Sequence, residues 1–213
     1  YDANGDIIPN SGCGNWLLEP QRTNLITYSE DFSNVSWNKN GGTVALTSEI
    51  APDGTTNSVY NYVGTQSNLF TTSQASGFEY TISFYVKSNG QGADDFQLRL
   101  GGTFSSVMTS TTEWKKYSFT TTAASSVFSL ASSGVGNINV LVWGAQLEQN
   151  SYATSYIPTQ GASSTRLADI ATNTGISGLI GQTEGTMFCE ISEESLQENS
   201  RYMSISVFND PNK

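Results

Sequence analysis

The sequence predicts an all-β chain built around an antiparallel two-sheet jelly-roll β-sandwich. Three observations predict it. Charged residues make up only 13% of the 213, about half the usual ~25%, while aromatics hold at 11%. That mixture, with Ser, Thr, Asn and Gly filling the difference, favours half-buried strands over disorder. Short segments alternate apolar and polar residues with a period of two, and turn signals separate them. Finally, no segment carries a convincing amphipathic-helix pattern.

The elements follow in order. Residues 1–16 are rich in Asn, Gly, Asp and Pro and read as an irregular leader. Pro20 blocks a helix at the transition that follows and favours extended backbone on both sides. Strands are predicted at 43–50, 58–63 and 68–72, with Pro52-Asp53-Gly54 as a turn after the first. The clearest strand is 79–87: Tyr80, Ile82, Phe84 and Val86 share one face, and Tyr85 and Lys87 lie on the other. In 95–100, Phe96, Leu98 and Leu100 point inward and Gln97 and Arg99 outward. Segments 113–120 and 127–130 are shorter strands. The long strand 137–147 puts Ile138, Val140 and Val142 on one face and Leu141, Trp143 and Ala145 on the other. Eight or more short strands separated by turn signals indicate an antiparallel sandwich or barrel, and a two-sheet jelly roll with one apolar face per strand fits the count.

This organises the chain as a leader at 1–16, a jelly roll at 17–160 and an extended linker or arm at 161–184. The start of a second β domain follows at 185–213. There, two alternating strands flank an acidic turn containing Glu193, Glu194 and Glu198. A lone hairpin is marginal in water, so this partial second sandwich is expected to be truncated or completed by a partner. The chain reads as a segment of a longer modular protein, beginning at Tyr1 rather than Met.

Composition excludes several function classes. Lys+Arg number 9 against Asp+Glu 19, a net charge of −10, which repels a nucleic-acid backbone. With no His, Ser-His-Asp and Cys-His catalysis and His-ligated metal sites are all ruled out. No run approaches the roughly 20 apolar residues of a membrane span. Cys13 and Cys189 are too few and too far apart for a disulfide framework or a zinc site. No carboxylate pair is singled out for glycoside hydrolysis, and a non-enzyme is expected. A catalytic sandwich is the weakest of three functional classes.

Two strings carry a resemblance. The opening contains Gly12-Cys13, then Leu17-Leu18-Glu19-Pro20-Gln21-Arg22-Thr23-Asn24-Leu25, then Tyr28-Ser29-Glu30-Asp31-Phe32-Ser33 and Trp37. The closing string runs Trp143-Gly144-Ala145-Gln146-Leu147-Glu148, Ser151-Tyr152-Ala153-Thr154-Ser155-Tyr156-Ile157-Pro158-Thr159 and Thr165-Arg166-Leu167-Ala168-Asp169. Together they resemble carbohydrate-binding-module-like domains of phage tail and head fibre proteins. The central Tyr80-Thr81-Ile82-Ser83-Phe84-Tyr85-Val86-Lys87-Ser88 resembles the xylan- and glucan-binding jelly rolls more broadly. The resemblance implies a structural protein of a virion appendage, extracellular, homo-oligomeric (a trimer by analogy) and in contact with other virion proteins or a host-surface glycan. It also implies that 185–208 begins a concanavalin- or laminin-G-like sandwich. The alternative is a carbohydrate-binding module of a secreted bacterial polysaccharide-degrading enzyme.

Sugar recognition needs flat aromatic faces and planar polar groups. Tyr85, Lys87, Gln97 and Arg99 are the candidates, as one concave groove or as an ordinary solvated face. Trp37 is a candidate stacking platform, or else closes one end of the sandwich. The one cofactor the resemblance implies is a structural calcium, with Glu30 and Asp31 as candidate ligands. The last strand, however, carries Gln146 where such modules place an aspartate.

Overall fold

A computed structural model describes residues 18–72, 77–132 and 134–170. The chain divides after Ile170 into two units, and all of these residues lie in the first. The leader, both cysteines and the hairpin expected at 185–208 fall outside the described residues.

The described residues form strands and no helix. In chain order the strands are β1 (Arg22–Asn24), β2 (Asn38–Leu46), β3 (Tyr60–Thr72), β4 (Glu79–Ser88), β5 (Asp95–Leu100) and β6 (Thr103–Phe104). Then come β7 (Met108–Thr109), β8 (Lys115–Thr122), β9 (Val127–Ala131), β10 (Asn137–Glu148) and β11 (Ser164–Arg166). Every pairing is antiparallel. The result is the jelly-roll sandwich that the alternating segments predict.

A bend in β3 creates the two layers. The sequence predicts separate strands at 58–63 and 68–72; the structure joins them as one strand with a corner at Gly64-Thr65-Gln66-Ser67. One edge of β3 bonds β10 through Tyr60–Thr65, then changes partner and bonds β9 through Asn68–Thr72. Its other edge stays with β2, which follows the corner through a bulge at Gly41. Gln66 takes a φ of 50°, and a Cβ on Gly64 would lie 2.1 Å from Ser67 Oγ. These corner residues look like a turn in sequence, which is why one strand reads as two.

Sheet one therefore runs β2–β3–β10–β4–β8, and sheet two runs β2–β3–β9–β5–β6, with β7 also on β5. The core lies between them. Ile82, Phe84 and Val86 of β4 and Val140 and Val142 of β10 meet Phe96, Leu98 and Leu100 of β5 and Phe128 and Leu130 of β9. Each is fully buried and contributes about 1.5–3 kcal/mol through loss of apolar surface to water.

A second irregularity corrects the predicted faces of β10. The sequence places Ala145 with Leu141 and Trp143. Instead, a bulge between Trp143 and Gln146 shifts the register. Leu141 and Trp143 stay on the outer face, in a small cluster with Ala51 and Val59, while Ala145 and Leu147 turn into the main core. Gly144 makes this shift with a φ of +62°, a left-handed conformation costly for any side chain with a Cβ. A Cβ there would also meet Tyr85 at 3.2 Å and Tyr156 at 3.3 Å. Gly144→Ala is expected to lower stability by about 1–3 kcal/mol, read as a lower urea midpoint; an unchanged midpoint would show that the bulge does not fix the register.

Candidate functional site

The two strings that carry the resemblance meet in the structure. β10 runs past the end of β3, and the opening segment takes the vacated edge: Leu25 N–H donates to Leu147 O at 2.9 Å, and Ala145 N–H to Ser29 O at 2.9 Å. β1 pairs with β11, so residues 161–170 continue the fold and do not start an arm at 161 as the sequence suggests. The buried Asn24 side chain joins all three segments. Its Nδ2 donates to Ala145 O at 3.1 Å and Ile157 O at 2.9 Å, while its Oδ1 accepts from Ile26 N–H and Leu147 N–H, each at 3.1 Å.

The neighbouring polar residues are satisfied in the same way. Gln146 Oε1 accepts from Ile157 N–H at 2.7 Å, and its Nε2 donates to Glu148 Oε2 at 2.7 Å. The fully buried Glu148 carboxylate also accepts from Thr154 N–H at 3.0 Å and from the Thr154 hydroxyl. Lys116 Nζ donates to Thr154 O; burial pushes its pKa down, against the pull of Glu148 and Glu19. Arg166 pairs with Glu19 at 2.6 Å. Asn24, Gln146, Glu148, Thr154, Arg166 and Glu19 therefore hold the scaffold shut.

The predicted groove does not assemble as one surface, because β4 and β5 belong to opposite sheets. Tyr85 and Lys87 stand on the outer face of sheet one. Tyr85 is half-buried against Trp143 (ring centroids 5.4 Å apart) and Tyr156 (6.4 Å), and burial raises its pKa. Lys87 pairs with Glu49 at 2.6 Å. Gln97 and Arg99 stand on the outer face of sheet two, with the core between the two pairs. Trp37 is 2% exposed, so the stacking-platform expectation is corrected: its ring packs on Phe32 at 5.0 Å and its Nε1 donates to Tyr28 O at 2.7 Å. It closes the end of the core.

The outer face of sheet two is where polar and aromatic groups converge. Register places Asn38, Phe70, Ser129, Arg99 and Phe104 in one row across five strands. A second row holds Asn40, Asn68, Ala131 and Gln97. The Arg99 guanidinium lies 5.3 Å from the Phe104 ring centroid. Three buried polar atoms on this face have no hydrogen-bond partner among the described residues: Asn68 Oδ1, Ser129 Oγ and Arg99 Nε. Gln97 Nε2 donates to Ser105 O at 2.8 Å.

Sequence reasoning found Gln97 and Arg99 but missed Asn68, Phe70, Ser129 and Phe104. Two signals were present. Phe70 occupies the outward phase of a strand whose Leu69 is buried. Gly101-Gly102, both with positive φ, form the two-residue hairpin turn that sets Phe104 opposite Arg99.

A cleft of about 410 Å³ opens elsewhere, lined by Tyr28, Glu30, Asp31, Asn57, Tyr60 and Gln160 among others. It contains both candidate calcium ligands. Glu30 accepts from Tyr156 OH at 2.9 Å. Burial raises its pKa, opposed by that hydrogen bond and reinforced by Asp53. Asp31 Oδ1 accepts from its own loop (Ser33 Oγ at 2.5 Å, Asn34 N–H at 3.2 Å) and from Tyr60 OH at 3.1 Å. Burial alone would raise the Asp31 pKa; those hydrogen bonds outweigh it and hold the pKa down. Calcium takes 6–8 oxygens, whereas no group of three His, Cys, Asp or Glu side chains gathers among the described residues. Gln146 directs an N–H donor at Glu148, Thr154 O and Ser155 O.

Comparison with known proteins adds a likeness of fold. No family model matches the sequence, and no curated protein matches it. Among solved structures, the chain is similar to the CBM22-1–GH10 modules of the Clostridium thermocellum endo-1,4-beta-D-xylanase 10B (13% identity, 65% of this chain and 30% of that one, TM-score 0.45). It is similar to the CBM22-1 xylan-binding domain of Paenibacillus barcinonensis Xyn10C (16% identity, 62% of this chain and 94% of that one, TM-score 0.45). It is also similar to the enzymatically active domain of tailspike protein 4 of bacteriophage CBA120 (14% identity, 58% of this chain and 21% of that one, TM-score 0.40). Likeness at this level says nothing of a ligand. Among the described residues no helix is long and apolar enough to cross a membrane.

Two outcomes are expected. Asn24→Ala strands two carbonyls and two N–H groups, and is expected to cost about 3–5 kcal/mol in chemical unfolding; a loss below ~1 kcal/mol would mean the clasp is redundant. For Glu30, the raised folded pKa means that ionisation is harder in the fold. Stability is therefore lost as pH rises through the interval between the unfolded value, near 4.5, and the folded one. Glu30→Gln should melt at a higher temperature than the unsubstituted chain at neutral pH and match it below about pH 4. The opposite ordering at neutral pH would overturn that sign.

Proposed function

We propose that the module is a non-catalytic carbohydrate-binding domain and that the outer face of sheet two receives the glycan. One observation carries this: a row in which Phe70 and Phe104 flank Arg99 across neighbouring strands, over the unpartnered Asn68 Oδ1, Ser129 Oγ and Arg99 Nε. Strands 4.7–4.9 Å apart put the two rings on the order of 14 Å from one another, room for a short oligosaccharide. Aromatic faces stack on the C–H faces of sugar rings, and amides and guanidinium bond the hydroxyls. The resemblance of the opening and closing strings supports placing the module on a phage virion appendage, in a homo-oligomer that meets a host-surface glycan. A secreted polysaccharide-degrading enzyme would use the same face. The two placements differ in what adjoins the module: further sandwiches or a coiled coil in the first, a catalytic domain in the second.

A glycan array tests the binding. The unsubstituted chain should retain at least one polysaccharide-derived ligand. Phe70→Ala and Phe104→Ala should each weaken that binding about five- to tenfold, and Lys87→Ala, on the opposite face, should leave it unchanged. An array with no retained glycan, or a ligand indifferent to both Phe changes, would sink the proposal.

A further inference from the structure

Resting on the glycan-binding face just described, we propose that its ligand is an acidic sugar, and that Arg99 holds the ligand's carboxylate. The cations of the described residues already have oxygen partners, with two exceptions. Arg22 donates to Gln21 O, Lys39 to Ser33 O and Asn34 O, Lys87 to Glu49, Lys116 to Thr154 O, and Arg166 to Glu19. The exceptions are Lys115, exposed on the edge strand β8, and Arg99. Arg99 is half-buried and bonds no oxygen among the described residues. Its guanidinium lies 5.3 Å from the Phe104 ring centroid, and its Nε is buried without a partner among the described residues.

In a chain of net charge −10, carboxylates are plentiful. Yet none lies within ion-pair distance of Arg99 among the described residues. Asp95 shares its face, but four residues along an extended strand is on the order of 13 Å, and Asp95 is held by the Thr109 hydroxyl at 2.6 Å. Taking a guanidinium partly out of water without an anion is costly. A ligand carboxylate removes that cost. The guanidinium is planar, permanently charged and set against a ring, so its fork is pre-oriented for two parallel hydrogen bonds. Arg99 sits inside the row between Phe104 and Ser129. The charged group of the ligand therefore lies on a sugar unit between the two Phe rings, flanked by Gln97 and Asn68 for its hydroxyls. The rest of the acidic surface repels polyanions at long range. Recognition thus falls on a locally placed carboxylate and not on overall charge density.

The test is an array of uronate-containing and sialylated oligosaccharides, each printed beside its carboxyl-reduced counterpart and beside neutral and sulfated chains. Carboxylated members should bind, and their reduced counterparts should bind about ten- to a hundredfold more weakly, as expected for a charge-assisted pair. Arg99→Gln should erase the difference between the two forms, and Arg99→Lys should keep part of it. Both variants are checked by thermal melting, and the comparison of the two ligand forms on the unsubstituted chain needs no variant. If reduced or neutral chains bind as well as acidic ones, if sulfated chains are preferred, or if Arg99→Gln keeps the preference, the acidic-sugar proposal fails while glycan binding stands. If no glycan of any kind is retained, the binding face itself is wrong.

Discussion

The buried side-chain amide of Asn24 is the constraint on which the rest of the module depends. An amide offers two donors and two acceptor lone pairs, and here each of the four has a backbone partner. Those partners belong to three stretches of chain that sequence keeps far apart: the opening segment, the bulge of β10 and the segment after it. No apolar side chain of similar size could satisfy two buried carbonyls and two buried N–H groups at once. Gln146, Glu148 and Thr154 extend the same logic outward, each closing the hydrogen-bonding needs of the next. A network of this kind specifies one arrangement more sharply than it adds raw stability, since every member is already solvated in the unfolded chain.

With one flank closed in this way, the sandwich divides its labour between faces. Sheet one spends its outer surface on Trp143, Tyr85 and Tyr156, which pack against one another under the opening and closing segments. Among the described residues, the outer face of sheet two carries no such aromatic cluster, and Asn68 Oδ1, Ser129 Oγ and Arg99 Nε lie there without partners. The corner in β3 makes the division. By moving one strand from β10 to β9, it gives both sheets a common hairpin while aiming their outer faces in opposite directions.

Much of the fold was legible from the residues alone. In β4 and β5, alternation of apolar and polar residues made both the strands and their inward faces readable. Legibility failed where the backbone departs from that period. At Gly64–Ser67 a bend resembles a loop, and at Gly144 a bulge adds one residue and inverts the face of everything after it. The site suffered from a different gap. Gln97 and Arg99 were correctly placed outward, but which strands lie side by side is a property of the whole topology. Tyr85 and Lys87 were therefore joined to them across what is in fact the core. Phe104 meets Arg99 across a two-residue turn, but Phe70 joins the row only through pairings that span thirty residues and more. Asn24, Gln146 and Glu148 of the resemblance strings prove to be clasp, while Tyr28, Glu30 and Asp31 line the separate cleft.

The pairing of β1 with β11 has a mechanical consequence. Glu19 and Asp169 lie side by side, joined by Asp169 N–H to Glu19 O at 2.9 Å and by Glu19 N–H to the Asp169 carboxylate at 3.0 Å. The two ends of the described fold therefore meet at one point, and tension between those residues pulls the two short strands apart sideways. Such a load opens an antiparallel ladder one rung at a time, instead of shearing all its rungs together. Force reaches the Asn24 amide only after the Arg22 and Thr23 rungs have gone, and the two sheets stay unloaded until the amide lets go. A load applied at Glu19 and Asp169 thus leaves the sheet-two face clear of the strain until that amide yields.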